Sequence, residues 1–163
     1  MRAQPWRAAR VGAGVLGIAW ALPNTLVGLV AGAAGLALGA RPSLRRADLA
    51  IVFDHFPAPF ARRGALVLGN VILHTGASLD GECETYAHRA GLVREPPVRL
   101  CDHERAHVLQ YMALGPLFLP LYWLCGGISV RNRFERAADR YAQSGRGWWP
   151  FAADWRSRGG RAT

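Results

Sequence analysis

The residues from Leu100 to Gln110 hold the one stretch with a specific chemical reading, His103-Glu104-Arg105-Ala106-His107. In a helix, His103 and His107 lie four positions apart and leave from one face. Two imidazoles so spaced can bind one Zn²⁺ at about 2.0–2.1 Å each. Glu104 sits about 100° further round, off the ideal ligand direction but within reach of a water in an open coordination position. Its carboxylate can act there as general base, so the pattern fits metal-assisted hydrolysis. The bland alternative is a surface helix with an incidental histidine pair, and a third ligand separates the two readings.

Asn132 to Ala142 reads as a second helix, in which Glu135 and Asp139 share a face. Like charges at that spacing destabilise an isolated helix by roughly 0.2–0.5 kcal/mol, and a cation beside them removes the penalty. A structural reading also exists. Asn132-x-x-Glu135 fits an N-terminal capping box, and Arg136 and Arg140 can screen both acids.

Joined to the histidine pair, Glu135-Arg136-Ala137-Ala138-Asp139 resembles the second motif of the gluzincin branch of zinc metallopeptidases. In that branch a His-Glu-x-x-His helix is followed by a helix carrying Glu-x-x-x-Asp, and the Glu-x-x-Ala-Asp form is similar to its membrane-bound members. The likeness covers about residues 100–142. It implies His103, His107 and Glu135 as zinc ligands and Glu104 as general base. Asp139 would orient His103 through its second ring nitrogen, a role with its own physical sense. It also implies a sheet edge to hold an extended substrate, which this chain has few residues to build. An oxyanion-stabilising His or Tyr is implied too, and Tyr111 and Tyr141 are the tyrosines near the motifs in sequence.

At 163 residues the chain is long enough for one compact domain with a real core, and 51% of it is hydrophobic. All 20 basic residues are Arg, against 11 acids, for a formal charge of +9. That charge does not point to nucleic acid, because the arginines are scattered and no aromatic-basic module accompanies them. Arg beside apolar runs reads as cytoplasmic-side membrane flanks. Cys83, Cys101 and Cys125 are odd in number and form no Cys-x-x-Cys, which argues against a disulfide framework and for a reducing compartment. All three read as packing residues.

Val11 to Ala40 contains no charged residue. It is too long for the apolar centre of a signal peptide and reads as membrane-embedded. Pro23-Asn24 divides it into limbs of roughly 18 and 22 Å as helices, each short of a hydrocarbon core of about 30 Å. One kinked helix or a hairpin satisfies this. Arg2, Arg7 and Arg10 before it and Arg41, Arg45 and Arg46 after it favour the hairpin, with both ends and the zinc site on the cytoplasmic side. Gly28, Gly32, Gly35 and Gly39 line one face of the second limb, where a second copy of the chain could pack, though small residues are also simply common in membrane helices.

Arg41 to Asp48 reads as a polar connector, Leu49 to Phe53 as a strand, and Asp54 to Arg63 as a loop. Ala65 to Leu73 reads as a buried strand with Gly69-Asn70 as a turn or bulge. His74 and His88 are isolated and read as structural or solvated. Pro96-Pro97 closes a loop and can start the motif helix. Val108 to Val130 is a second uncharged stretch, whose Gly115-Pro116, Pro120 and Gly126-Gly127 break it into a helix ending near Leu114, a turn and a short helix to Leu124.

The expectation is an α+β protein: a membrane-embedded segment over 1–40, as hairpin or kinked helix, and a small zincin-like helical core with a few strands over 41–163. The function expected is membrane-associated, zinc-dependent peptide hydrolysis at a bacterial inner membrane, with lipid as partner and a peptide or membrane protein as substrate. The alternatives are a non-catalytic membrane protein with a structural or vestigial zinc site and a membrane scaffold without metal.

Overall fold

The computed structural model describes residues 5–57 and 64–152. Arg2, the arginines after residue 152 and positions 58–63 of the expected loop lie outside these described residues.

The N-terminal stretch is one unbroken helix, α1, Pro5–Leu36, of 32 residues with Pro23 inside it. The hairpin does not form. Pro23 forfeits one backbone hydrogen bond, yet the two residues that follow it tie the helix to the rest of the fold. The Asn24 amide, at the expected division between two limbs, donates to the Gly115 carbonyl at 3.1 Å. Thr25 Oγ1 donates to the Ala21 carbonyl at 3.0 Å and accepts from the Asn70 amide at 3.0 Å. The segment Gly12–Leu36 is long and apolar enough to cross a membrane.

Four strands form the main sheet: β1 Arg41–Arg45, β2 Ala50–Asp54, β3 Ala65–Leu68 and β4 Val71–His74. Their order is β1-β2-β4-β3, with β2 and β4 parallel and the outer pairs antiparallel. The segment expected as a polar connector therefore supplies an edge strand and a short 3-10 turn, Arg46–Asp48. Its polar composition suits an edge exposed to solvent. The single strand expected over Ala65–Leu73 is a hairpin turning at Gly69-Asn70. Gly69 has φ +63, the left-handed geometry that the first position of a tight hairpin turn requires.

Alternation in the strands divides the core in two. Val52, Val67 and Ile72 pack with Cys101, Val108 and Tyr111 of the motif helix. Phe53, Val71 and Leu73 pack with Leu29 and Ala31 of α1. The sheet is thus covered on both faces, as the apolar runs of a parallel pair require. The glycine stripe is spent inside the chain: a Cβ at Gly28 would meet Val71 and Leu68, one at Gly32 the ring of Phe53, and one at Gly35 the ring of Phe56. That face is therefore not open to a second copy, and Gly39 lies beyond the helix end.

A small ribbon, β5 Glu82–Cys83 with β6 Val98–Arg99, and a one-turn helix, α2 Tyr86–Arg89, precede the motif helix. That helix, α3, runs Leu100–Leu114. It starts after β6 rather than at Pro96-Pro97. A 3-10 turn Gly115–Leu117 and a short helix α4, Phe118–Leu124, follow as the breakers dictate. The last helix, α5, is Arg133–Ser144, packed on α3. Asn132 caps it by accepting from the Phe134 amide at 2.9 Å, and Gly145 ends it at φ +69.

Candidate metal centre

α3 buries a polar face. His103, Glu104 and His107 are 6–8% exposed and Gln110 is fully buried. The helix accepts this because α5 lies against it and presents Glu135 and Asp139 to the same space. Glu135 is spent here rather than in a capping box.

His103 Nε2 lies 3.2 Å from His107 Nε2 and 3.2 Å from Glu135 Oε2, and His107 Nε2 is 3.6 Å from that oxygen. The other ring nitrogens and the second Glu135 oxygen each face a polar neighbour. His103 Nδ1 is 3.0 Å from Asp139 Oδ1, with alignment short of a good hydrogen bond. His107 Nδ1 is 2.9 Å from Gln110 Oε1. The Gln110 amide nitrogen donates to the carbonyls of Phe134 at 3.2 Å and Trp148 at 2.8 Å. Tyr122 Oη donates to Glu135 Oε1 at 2.5 Å.

These contacts fix the protons. The Gln110 nitrogen faces two carbonyls, so Oε1 faces His107 and must accept from an Nδ1–H. A carboxylate likewise only accepts, so Asp139 favours Nδ1–H on His103. Both Nε2 lone pairs then point at each other and at Glu135 Oε2. Three acceptors with no donor among them repel unless a cation sits between them. Ligands about 2.0–2.1 Å from a tetrahedral Zn²⁺ are about 3.3–3.4 Å apart, and the observed 3.2, 3.2 and 3.6 Å bracket that spacing. The three residues together form a buried group able to hold a metal ion.

The metal-free electrostatics tell the same story. Burial disfavours a charged His103, but Asp139 and Glu135 more than offset it and hold its pKa well above the ordinary value. His107 is raised against its burial by Glu135. Glu135 is held far below the carboxylate range by the two histidines despite burial. With no metal bound, both histidines therefore favour holding a proton beside the Glu135 carboxylate.

Glu104 faces a cavity of about 180 Å³ that the three ligands also line. Burial raises its pKa. The space is enough for several waters. Its other walls are β3, through Ala65, Leu66 and Val67, then Tyr86 and Tyr111, and residues on and around α4. β3 is the sheet's last strand. Gly64 and Thr75 pair through the Thr75 amide and the Gly64 carbonyl, so alternation turns the amides and carbonyls of Ala65 and Val67 to the open edge. A free strand edge of four residues thus borders the cavity.

Several expectations need correction or addition. Tyr141 does not line the cavity, and Tyr111 lines it with its ring stacked on Phe118 at 3.8 Å and its hydroxyl buried without a partner among the described residues. Tyr122 and Tyr86 also line the cavity, and the Tyr122 hydroxyl is the one bonded to Glu135. His74 pairs with Asp54 at 2.7 Å and His88 closes the cap of α2, so neither joins the ligand group. Sequence reasoning missed Gln110, Tyr122 and Tyr86. A polar residue three positions after His107 in an otherwise apolar run was the available signal for Gln110; nothing marks the tyrosines. No protein-family model, no curated protein and no solved structure matches the chain.

Proposed function

We propose that the protein is a membrane-associated, zinc-dependent metallopeptidase of gluzincin type. The observation that carries this reading is the convergence of three cation-demanding acceptors at zinc spacing with a buried carboxylate, Glu104, lining the same cavity. Among the described residues the ligand group stops at three, which favours an open, catalytic coordination over a closed structural one.

Zinc bound there supplies a Lewis acid that acidifies a water and polarises a carbonyl. Glu104 takes the proton of the attacking water on its carboxylate, which its raised pKa suits. It then delivers that proton to the leaving amine. The outward amides and carbonyls of Ala65 and Val67 pair with an extended peptide laid along β3. Tyr86, whose pKa burial raises, keeps its phenol proton at neutral pH and donates it toward the carbonyl oxygen as charge develops there. Tyr122 holds Glu135 in place, Gln110 holds His107, and Asp139 orients His103.

The test is hydrolysis of unfolded casein by the zinc-loaded full chain beside Glu104→Gln. Cleavage by the wild type alone supports the reading. Equal rates from the two would remove Glu104 as base, and cleavage by neither would favour the non-catalytic alternative. The arginines that flank the apolar stretch favour a site on the cytoplasmic side. Ser43→Cys should then resist an impermeant maleimide in intact cells; labelling would contradict that sidedness.

A further inference from the structure

We infer that the protein is monotopic: the outer face of α1 and the exposed lip of the metal-site cavity sink together into one leaflet, so α1 lies along the bilayer instead of crossing it. This rests on the membrane association proposed above and adds its geometry.

α1 is held by the body along most of its apolar length. Gly17 rests against Met112, and Gly35, far along the same helix, against Phe56. That contact runs about 27 Å at 1.5 Å per residue, nearly the whole of a hydrocarbon core of about 30 Å. The body it holds carries the Asp54–His74 pair, an edge strand with Arg41 and Arg45, and the unpaired edge of β3. A crossing helix would drag those free edge groups and charges into lipid, where no water can satisfy them.

The outer face points the other way. Leu16, Trp20, Leu26 and Val30 are 52–73% exposed, with no charge between Val11 and Ala40. The Trp20 indole lies over Gly115, and from there the chain leads through Leu117 into α4. Leu117, Trp123, Leu124 and Ile128 are 57–82% exposed, and Trp123 and Ile128 line the cavity. An apolar surface running from helix to cavity mouth is more than a soluble chain leaves bare. Its borders fit anionic headgroups: Arg41 and Arg46 follow α1, Arg131 and Arg133 follow the second uncharged stretch, and all four are exposed. The apolar face of such a helix sits about 5–10 Å into the headgroup–acyl boundary. The metal site then opens at the leaflet surface.

Fluorophores on Leu26→Cys and Leu124→Cys report this in the full chain, with Cys83 and Cys125 replaced by serine and buried Cys101 retained. The protein is reconstituted in phosphatidylglycerol–phosphatidylcholine vesicles carrying nitroxides either just below the headgroup or at the bilayer centre. Both probes should be quenched more strongly by the shallow nitroxide and lose their quenching by aqueous iodide. Stronger quenching of the Leu26 probe from the bilayer centre would overturn the inference in favour of a spanning helix, leaving membrane association intact. Iodide quenching of the Leu124 probe at its vesicle-free level would remove the lip from the lipid. Nitroxide silence at both positions would remove membrane association as well. None of these outcomes touches the metal site, which zinc content reads separately.

Discussion

α3 and α1 are turned inside out in opposite ways. α3 hides His103, Glu104, His107 and Gln110, and α1 displays Leu16, Trp20, Leu26 and Val30. Each departs from the usual distribution of polar and apolar side chains, and each departure asks for a partner. For α3 most partners lie within the chain: Asp139 and Glu135 beside His103, and the carbonyls of Phe134 and Trp148 that hold Gln110. What these leave unmet is a cation between three acceptors. For α1 the inner face finds its partner in the sheet, and what is left unmet is the outer face. A buried polar group and an exposed apolar one are thus two forms of the same physical demand, which a metal ion would answer in the first case and, on the inference above, lipid in the second.

The strongest way to sharpen the polar half is Glu104→Gln. The amide is nearly isosteric but cannot take a proton, so casein hydrolysis should fall by about 10²–10⁴-fold while metal analysis shows zinc retained. Loss of zinc along with activity would mean that Glu104 serves binding instead.

Asp139→Ala removes the group behind His103 and should weaken zinc by about 10–100-fold, read by competition with a chromophoric chelator. Unchanged affinity would reduce Asp139 to a surface acid of α5.

The apolar half divides by face. Gly32→Ala drives a methyl into the Phe53 ring and should cost about 1–3 kcal/mol. Gly12→Ala meets nothing and should not destabilise. Denaturation midpoints in detergent compare the two, and equal values would mean that α1 does not rest on the sheet.

The smallest effect is the pH dependence of the metal-free chain. His103 and His107 are raised above the ordinary 6.5, so their contribution is complete below that value and is lost as pH climbs through the folded pKa. Glu135 is depressed below the ordinary 4.5, so its contribution is complete above that value and is lost as pH falls. Thermal midpoints with chelator should therefore be highest between the two and decline on the alkaline side. Zinc, which competes with those protons, should abolish the alkaline decline. A metal-free midpoint that rises steadily with pH would contradict the protonated histidines beside Glu135.

The two pairs His103/His107 and Glu135/Asp139 were legible because helix periodicity carries each to one face, while their meeting at one site was implied only by the resemblance to gluzincins. The breaks at Gly115-Pro116 and after Leu124 were legible because backbone chemistry dictates them. α1 was not, because the propensity of Pro23-Asn24 to break a helix was outweighed by tertiary bonds from Asn24 and Thr25 to residues far along the chain. β1 escaped notice because an exposed edge strand needs no apolar pattern. Gln110 and Tyr122 act only once α5 is in place, and sequence spacing carries no record of that contact.

The central claim is that His103, His107 and Glu135 jointly hold zinc, and the metal content of the purified full chain tests it most directly. The wild type should carry one zinc per chain, and His107→Ala and Glu135→Ala should each carry almost none while keeping the wild-type far-UV circular dichroism. Full zinc occupancy in Glu135→Ala would contradict the account, since the third ligand would then lie elsewhere.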